Sequence, residues 1–514
     1  MPVADPTSTA PSQPRELVAG AWSAIVRRMS SVRHDLGRAW GHRAVRRGTY
    51  GSLLLFGGSL TPAYLPQNSP WWEPIRFLGL DNPTASVVGT ALVVSGVVLL
   101  VEAWFRLRPS VYHDVKHWPI TFWWSLPLLF APPIFSHDAY GYAALGWLMR
   151  SGLNPYEVPI AALPGPFADQ FSWMWRYNTA MYPPLSLEMF HGMVILAGNN
   201  PYLSALAMRI PAVIGVALIT YYLPRIAHRM GADIQLTAWF SAINPLVIID
   251  LVGGAHNDSL MMGLVVWALW LTLNGKMWPA AITVGMAACI KQPAILAFYP
   301  VALIGHPWQS LRWRDTWPAM RRLVGVLVIS ATTFALISLA TGLGFGWIWA
   351  ADVPGQVVTL APFTLVGAGL RFAFEAIGLP VVGEVVMQVL RWIGLGLTAA
   401  TIGWLGLTVG RRKPVAFLSW SYLAFAFGGI ALNSWYLTWG GLLLPLTRPS
   451  RRIVGTAVTV TTVLLAYGAG NLAWRNEAFA LGFAALALLL VLLYRHRQEH
   501  KAHVAHVAAE QEEE

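Results

Sequence analysis

Long apolar stretches separated by short polar ones run from residue 49 to residue 494. An apolar helix needs about 20 residues to cross a bilayer, and somewhat fewer where Trp or Tyr anchors its ends. On that measure the pattern predicts spans near 49–66, 84–105, 118–135, 203–224, 235–253, 258–273, 277–290, 293–305, 322–343, 383–409, 414–432, 435–447, 452–473 and 477–494. Of these, 277–290, 293–305 and 435–447 are short and are interrupted by proline or flanked by polar residues. Broken helices of that kind line a cavity in a bundle rather than face lipid. Segments 185–198 and 361–379 are apolar too, and are expected to lie along the membrane or re-enter it. Counting them as crossings would break the charge pattern described next. The expected fold class is an all-α polytopic membrane protein with about 14 transmembrane helices and juxtamembrane helices on one face.

With the N-terminus inside, the basic loops all fall on one side. They hold Arg106, Arg108 and Lys116; Arg225 and Arg229; Arg312, Arg314, Arg321 and Arg322; Arg411, Arg412 and Lys413; and Arg448, Arg451 and Arg452. The tail adds Arg495, Arg497 and Lys501. This satisfies the positive-inside rule and predicts a multi-pass plasma-membrane protein with both termini cytoplasmic. The opposite, extracytoplasmic loops carry the conspicuous polar motifs instead: the segment around Asp138, Gly253-Gly254-Ala255-His256-Asn257-Asp258, Lys291-Gln292-Pro293 and Asn433-Ser434-Trp435-Tyr436. Three regions follow: a basic cytoplasmic tail over 1–48, a membrane catalytic domain over 49–495 and a charged cytoplasmic tail over 496–514. The first tail holds Arg15, Arg27, Arg28, Arg33, Arg38, Arg43, Arg46 and Arg47 without a long apolar run, so no cleavable signal peptide is expected. It reads as a partly helical arm drawn to anionic lipid, with its first dozen residues disordered.

Composition agrees: the chain is 56% hydrophobic and 11% charged, against about 45–50% and 25% in soluble domains. The net charge of +11 lies between spans rather than on a soluble face, which argues against nucleic acid as a partner. Cys289 is the single cysteine, so no intramolecular disulfide can form. The bias toward Arg, Ala, Val, Gly and Trp suggests a GC-rich genome.

The candidate chemistry centres on Asp138, in Ser136-His137-Asp138-Ala139-Tyr140-Gly141-Tyr142, where an apolar span gives way to a polar loop. A carboxylate there suits a general base at the membrane surface; the alternative is an N-cap for a helix over 139–150. Asn257 and Asp258 open a helix over 259–273 and have the same capping alternative, while Gly253-Gly254 allows close approach of a ligand to the backbone. Metal is not expected, since no further His or acid stands at ligand spacing around His256. Lys291 interrupts an apolar stretch and is a candidate cation for a lipid phosphate, with snorkelling to the headgroups as the alternative. Arg209 and Arg391, each within a span, are further candidates for that phosphate. Trp435 and Tyr436, with Trp439 one turn on, form either an aromatic belt or a sugar-stacking platform. The loop 151–184, rich in Pro, Gly, Trp and Tyr, reads as an ordered lid.

Taken together, His137-Asp138-Ala139-Tyr140-Gly141-Tyr142-Ala143, Gly152-Leu153-Asn154-Pro155-Tyr156, Tyr182-Pro183-Pro184, Gly254-Ala255-His256-Asn257-Asp258 and Lys291-Gln292-Pro293 resemble the actinobacterial α-1,6-mannopyranosyltransferases of lipomannan synthesis. The resemblance runs from about residue 50 to 495. It implies a GT-C-type helical bundle with extracytoplasmic juxtamembrane helices, and a polyprenyl-phosphomannose donor. It further implies a mannosylated lipid acceptor, membrane lipids as surroundings and no cofactor. By that likeness Asp138 is the catalytic base, and His137, Tyr140, Tyr182, His256, Asn257, Asp258, Gln292, Trp435 and Tyr436 bind substrate. Lys291, Arg209 and Arg391 take the donor phosphate. One departure is His137: this position is often acidic or aromatic in GT-C enzymes, so no second acid adjoins Asp138. Alternatives at this point are a transporter or flippase for a polyprenyl-linked sugar, or a GT-C enzyme that transfers arabinofuranose or mannosylates protein. The clustering of the polar motifs at one surface, and no repeat between the halves, weigh against the transporter.

Overall fold

The computed structural model describes residues 14–66, 69–109 and 115–513, and among these every regular element is a helix. The expectation of disorder over the first dozen residues lies outside that range. Helix Pro14–Gly41 covers most of the basic tail. The next helix, Arg43–Ser59, starts within the tail assigned to 1–48, and Arg47 on its first turns pairs with Glu102 at 2.7 Å.

All of the predicted apolar stretches are helical over most of their length, but six helices among the described residues are long and apolar enough to cross a membrane. These are Pro83–Arg106, Pro201–Met230, Trp313–Ala340, Pro380–Leu407, Arg451–Arg475 and Phe479–Glu499. The others are shorter or broken, for a local reason in each case. His117–Ser125 passes into a 3-10 turn at Leu126–Leu129 that carries Pro127. Ile234–Ser241 stops before Asn244-Pro245, and the chain resumes as a wide π-helical turn, Val247–Gly253. Met277–Ile290 ends at Lys291, which is extended, and Gln292–Ala297 is 3-10 with Pro293 near its start. The two stretches set apart as non-crossing form the helices Pro184–Leu196 and Pro362–Ala376.

Helices in lipid gain little from burying Leu against Leu, so close packing through small residues holds them together. Helix Arg43–Ser59 meets Pro83–Arg106 at Gly51 and Gly96, where a Cβ on Gly96 would lie 2.6 Å from the Gly51 carbonyl oxygen. Helix Arg209–Met230 meets Asp258–Leu273 in the same way: a Cβ on Gly263 would lie 2.7 Å from the Gly215 Cα, and one on Gly215 would run into the Ser259 carbonyl. Deeper in the bundle Trp104 and Trp239 stack at 4.4 Å, and each indole N–H donates to the other's backbone carbonyl, at 3.1 and 2.8 Å. Both indoles are thereby buried with their polar atoms satisfied.

A second, smaller core lies beside the main one. It joins Leu145 and Leu148 of helix Asp138–Arg150, Phe167 of the following loop, and Leu187, Phe190 and Val194 of Pro184–Leu196. Trp147 stacks flat on Phe167 at 4.8 Å, and the Tyr156 hydroxyl donates to the Tyr182 carbonyl at 2.7 Å. Much of the loop 151–184 is therefore packed down, and it is ordered, as its composition predicts.

Gly215→Leu should overpack the Arg209–Met230/Asp258–Leu273 crossing. We expect about 1–3 kcal/mol of destabilisation, read as a lower melting temperature of the detergent-solubilised protein. Gly192→Leu is the control, since a Cβ there meets nothing within 4 Å; it should melt like the wild type.

Candidate active site

Asp138 is the first residue of helix Asp138–Arg150; the cap position belongs to His137, and no side chain caps the helix. The chain enters from Phe135, whose backbone is left-handed at φ 64°. The Asp138 N–H is taken by Ser136 Oγ at 3.1 Å, which leaves the carboxylate free for tertiary contacts. The capping alternative thus gives way. Both side chains nearest the carboxylate meet the same oxygen: the Tyr142 hydroxyl donates to Oδ2 at 3.4 Å, and His256 Nδ1 lies 3.3 Å from Oδ2. Asp138 remains 28% exposed, and among the described residues no hydrogen bond reaches Oδ1. Burial disfavours its charge, yet the contact and charge of His256, with the charge of Lys291 and the Ser136 hydroxyl, hold its pKa below the ordinary carboxylate value.

His256, Asn257 and Asp258 arrive on a segment bent to deliver them. The π-helical turn ends at Gly253, and Gly254 lets the backbone run close under the His256 ring, where a Cβ would lie 2.9 Å from its Cδ2. Ala255 then takes a left-handed φ of 55°, a strained choice for a residue with a side chain. All three polar side chains are buried and none caps helix Asp258–Leu273. Asn257 donates to Ser186 Oγ at 3.1 Å, and its Oδ1 lies 3.3 Å from the Tyr142 hydroxyl, whose single hydrogen it shares with Asp138 Oδ2. His256 stacks on Trp435 with ring centroids 3.7 Å apart, so one face of that indole is already covered.

Asp258 is fully buried, and Lys291 Nζ donates to both of its oxygens at 2.8 Å. The Trp439 indole N–H adds a third bond, to Oδ1 at 2.7 Å. Lys291 does not snorkel: its side chain is 12% exposed, and Nζ stands 4.8 Å from the Tyr436 ring and 5.5 Å from that of Trp439. Burial opposes its charge, but the Asp258 carboxylate outweighs this and raises its pKa, so it is a cation at neutral pH. One of the three ammonium hydrogens stays free of the carboxylate. Gln292, next along, donates to the Met181 carbonyl at 3.0 Å and ties this break to the loop 151–184. Tyr182 reaches the group through its ring, edge-on to Tyr142 at 5.3 Å.

Four predicted residues stand apart from this cluster. Arg209 is buried behind it: Nε donates to the Val252 carbonyl at 3.3 Å and Nη2 to the Gly253 carbonyl at 2.8 Å, which clamps the end of the π-helical turn. Its Nη1 has no hydrogen-bond partner among the described residues. Tyr140 is buried, and its hydroxyl likewise lacks one among the described residues. His137 is exposed, 6.1 Å from the Tyr140 ring. Arg391 donates to the Gly355 carbonyl, in the 3-10 turn Val353–Gln356, and bonds to no member of the cluster.

Sequence reasoning missed Tyr142, Ser186, Asp250 and Ser434 as members of the site. Asp250 sits on the π-helical turn, buried, and Ser434 Oγ donates to its Oδ2 at 2.7 Å. That bond fixes the residue preceding Trp435 and so steadies the Trp435–His256 stack. An aspartate inside the apolar stretch 235–253 is itself a signal.

Against this geometry, the family model for alpha-(1->6)-mannopyranosyltransferase, N-terminal domain, matches residues 45–306. Asp138, His256, Asn257, Asp258 and Lys291 fall inside the match, and Trp435, Tyr436 and Trp439 outside it. The chain is 28% identical to alpha-(1->6)-mannopyranosyltransferase A of Mycobacterium tuberculosis, over 82% of this chain and 84% of that one. It is 29% identical to a probable alpha-(1->6)-mannopyranosyltransferase of Mycolicibacterium smegmatis, over 87% and 88%. With alpha-(1->6)-mannopyranosyltransferase A of Corynebacterium glutamicum the identity is 27%, over 77% and 86%.

The Lys291–Asp258 pair makes a stability prediction. Lys291→Met leaves a buried carboxylate without its cation and should cost about 3–5 kcal/mol. Lys291→Met/Asp258→Asn removes the orphaned charge and keeps an acceptor for Trp439. The double variant should therefore melt higher than the single one, and equal melting would refute the coupling.

Proposed function

The chain belongs to the alpha-(1->6)-mannopyranosyltransferase family and is a mannosyltransferase, and from this we propose that it extends the α-1,6-mannan backbone of a membrane lipoglycan. The donor is polyprenyl-monophosphate mannose, the acceptor a mannosylated lipid, and the reaction takes place at the extracytoplasmic face of the plasma membrane. Transfer of arabinofuranose and transport of a lipid-linked sugar give way to this reading.

The observation that carries it is Asp138: a carboxylate held ionised and partly exposed, with its bonds on Oδ2. A general base needs an oxygen to spare, and Oδ1 supplies one. Asp138 takes the proton of the acceptor hydroxyl as that oxygen attacks the anomeric carbon. The bond from that carbon to phosphate oxygen breaks, and polyprenyl phosphate leaves with the electron pair and needs no general acid. A single displacement on a β-linked donor gives an α product. The remaining Lys291 N–H faces the growing phosphate charge, the kind of fixed donor that stabilises a transition state. Asp258 holds that ammonium in place and keeps it protonated. Tyr142 and His256 orient the base, and Asp250 acts through Ser434 and Trp435 to position His256. Arg209 contributes by holding the turn that carries these residues. A lid with its own core excludes water and so limits donor hydrolysis.

The test is mannosyl transfer from polyprenyl-phosphomannose to a short α-1,6-mannoside in membranes. Asp138→Ala should lose at least about 10²-fold in rate, the scale of a general base; near-wild-type activity would remove Asp138 from the mechanism. His256 depresses the Asp138 pKa, so His256→Gln raises it. The acidic limb of the kcat/KM profile should then move to higher pH, whereas an unmoved limb with lower kcat would leave His256 a purely steric role.

A further inference from the structure

The basic helix Pro14–Gly41 takes no part in the site, yet one of its faces is built into a groove. Arg28, Met29, Val32, Arg33, Leu36 and Gly37 recur at four-residue intervals and share that face, which lies against Trp123 of helix His117–Ser125. Between them is an open groove of about 550 Å³. Its walls are pinned. The Trp123 indole N–H donates to the Leu36 carbonyl at 3.0 Å, the Trp123 ring packs on Trp40 at 4.7 Å, and Lys116 pairs with Asp35 at 2.8 Å.

Two features say what the groove is suited to hold. Asp35, the acid on this stretch of the helix, is engaged with Lys116, and Arg28 and Arg33 have no carboxylate partner among the described residues. Arg28 and Arg33 stand five residues apart, on the two edges of the apolar stripe formed by Met29, Val32 and Leu36, and side chains of that length can close on one anion that both hydrogen-bond. The floor, by contrast, is apolar: Met29 and Val32 are exposed along it, at 67% and 41%, with Leu36 and the Trp123 ring beyond. At its end Gly37 leaves the space open, since a Cβ there would meet nothing within 4 Å. A free inorganic anion would satisfy the arginines and leave the floor wet. A zwitterionic lipid would fill the floor and bring its own cation to the arginines. We propose that the groove is a binding site for one anionic glycerophospholipid, its phosphodiester between Arg28 and Arg33 and its glycerol and upper acyl chain along Met29, Val32, Leu36 and Trp123. The site shares no residue with the mannosyl-transfer cluster and does not depend on the reaction assigned to it.

The test is native mass spectrometry of the full-length, delipidated protein in detergent, titrated with phosphatidylglycerol, with phosphatidylcholine, and with inorganic phosphate as competitor. The wild type should retain one phosphatidylglycerol more firmly than any phosphatidylcholine. Arg28→Gln/Arg33→Gln should weaken that retention about tenfold or more, from two interfacial arginines. Gly37→Leu keeps both charges but fills the groove, and should lose the same lipid. Arg28, Arg33 and Gly37 are themselves exposed, and size-exclusion elution checks that both variants fold. Equal retention by the wild type and either folded variant, or phosphatidylcholine bound as firmly, overturns the proposal. Displacement by millimolar phosphate would make this a bare anion site and overturn it as well.

Discussion

A fully buried carboxylate in an apolar bundle is the constraint from which the rest of the site follows. Asp258 opens its helix with no access to water, and removing such a charge from water costs several kcal/mol unless it is paired and hydrogen-bonded. Its three bonds come from residues remote in sequence, two from Lys291 and one from Trp439. Satisfying one side chain therefore draws together the end of the π-helical turn, the break after Ile290 and the short helix Leu437–Gly441. These are places where a continuous helix would have kept the polar residues apart. The broken helices are thus the means by which an apolar bundle gathers charge at one place.

The same constraint orders the neighbours. With Asp258 fixed, His256 and Asn257 have little freedom, and they meet Asp138, Tyr142 and Ser186. Arg209 secures the turn from behind through two backbone carbonyls. The site then reads as two layers: a buried pair that sets the geometry, and above it a partly exposed carboxylate with one oxygen free of hydrogen bonds among the described residues.

Much of this was legible in the sequence because it has a local signature. Apolar runs mark the helices whatever they pack against, and a charge within such a run is costly enough to draw attention; Asp138, Asp258 and Lys291 stand out on that ground. The capping alternatives for Asp138 and Asn257 were equally consistent with local pattern, and tertiary bonds alone decided between them. Lengths were less legible. A stretch such as 235–253 reads as one span by hydropathy, but Asn244-Pro245 divides it and leaves a π-helical turn that no periodicity announces. Ser186 and Ser434 were invisible for another reason: a serine near the start of a helix is too common to signify, and only its partner gives it meaning. Arg209 and Arg391 show the converse. An intramembrane arginine is conspicuous in sequence, yet here each is occupied with backbone carbonyls.

The separate small core under residues 151–184 bears on how that segment can move. A loop held only by its ends can flutter on its own, but one that shares Phe167, Leu145 and Phe190 with two helices is a cooperative unit, and its opening costs the whole of that packing at once. Thermal breathing of single residues then leaves the unit closed. The segment over helix Asp138–Arg150 therefore moves as one piece or not at all.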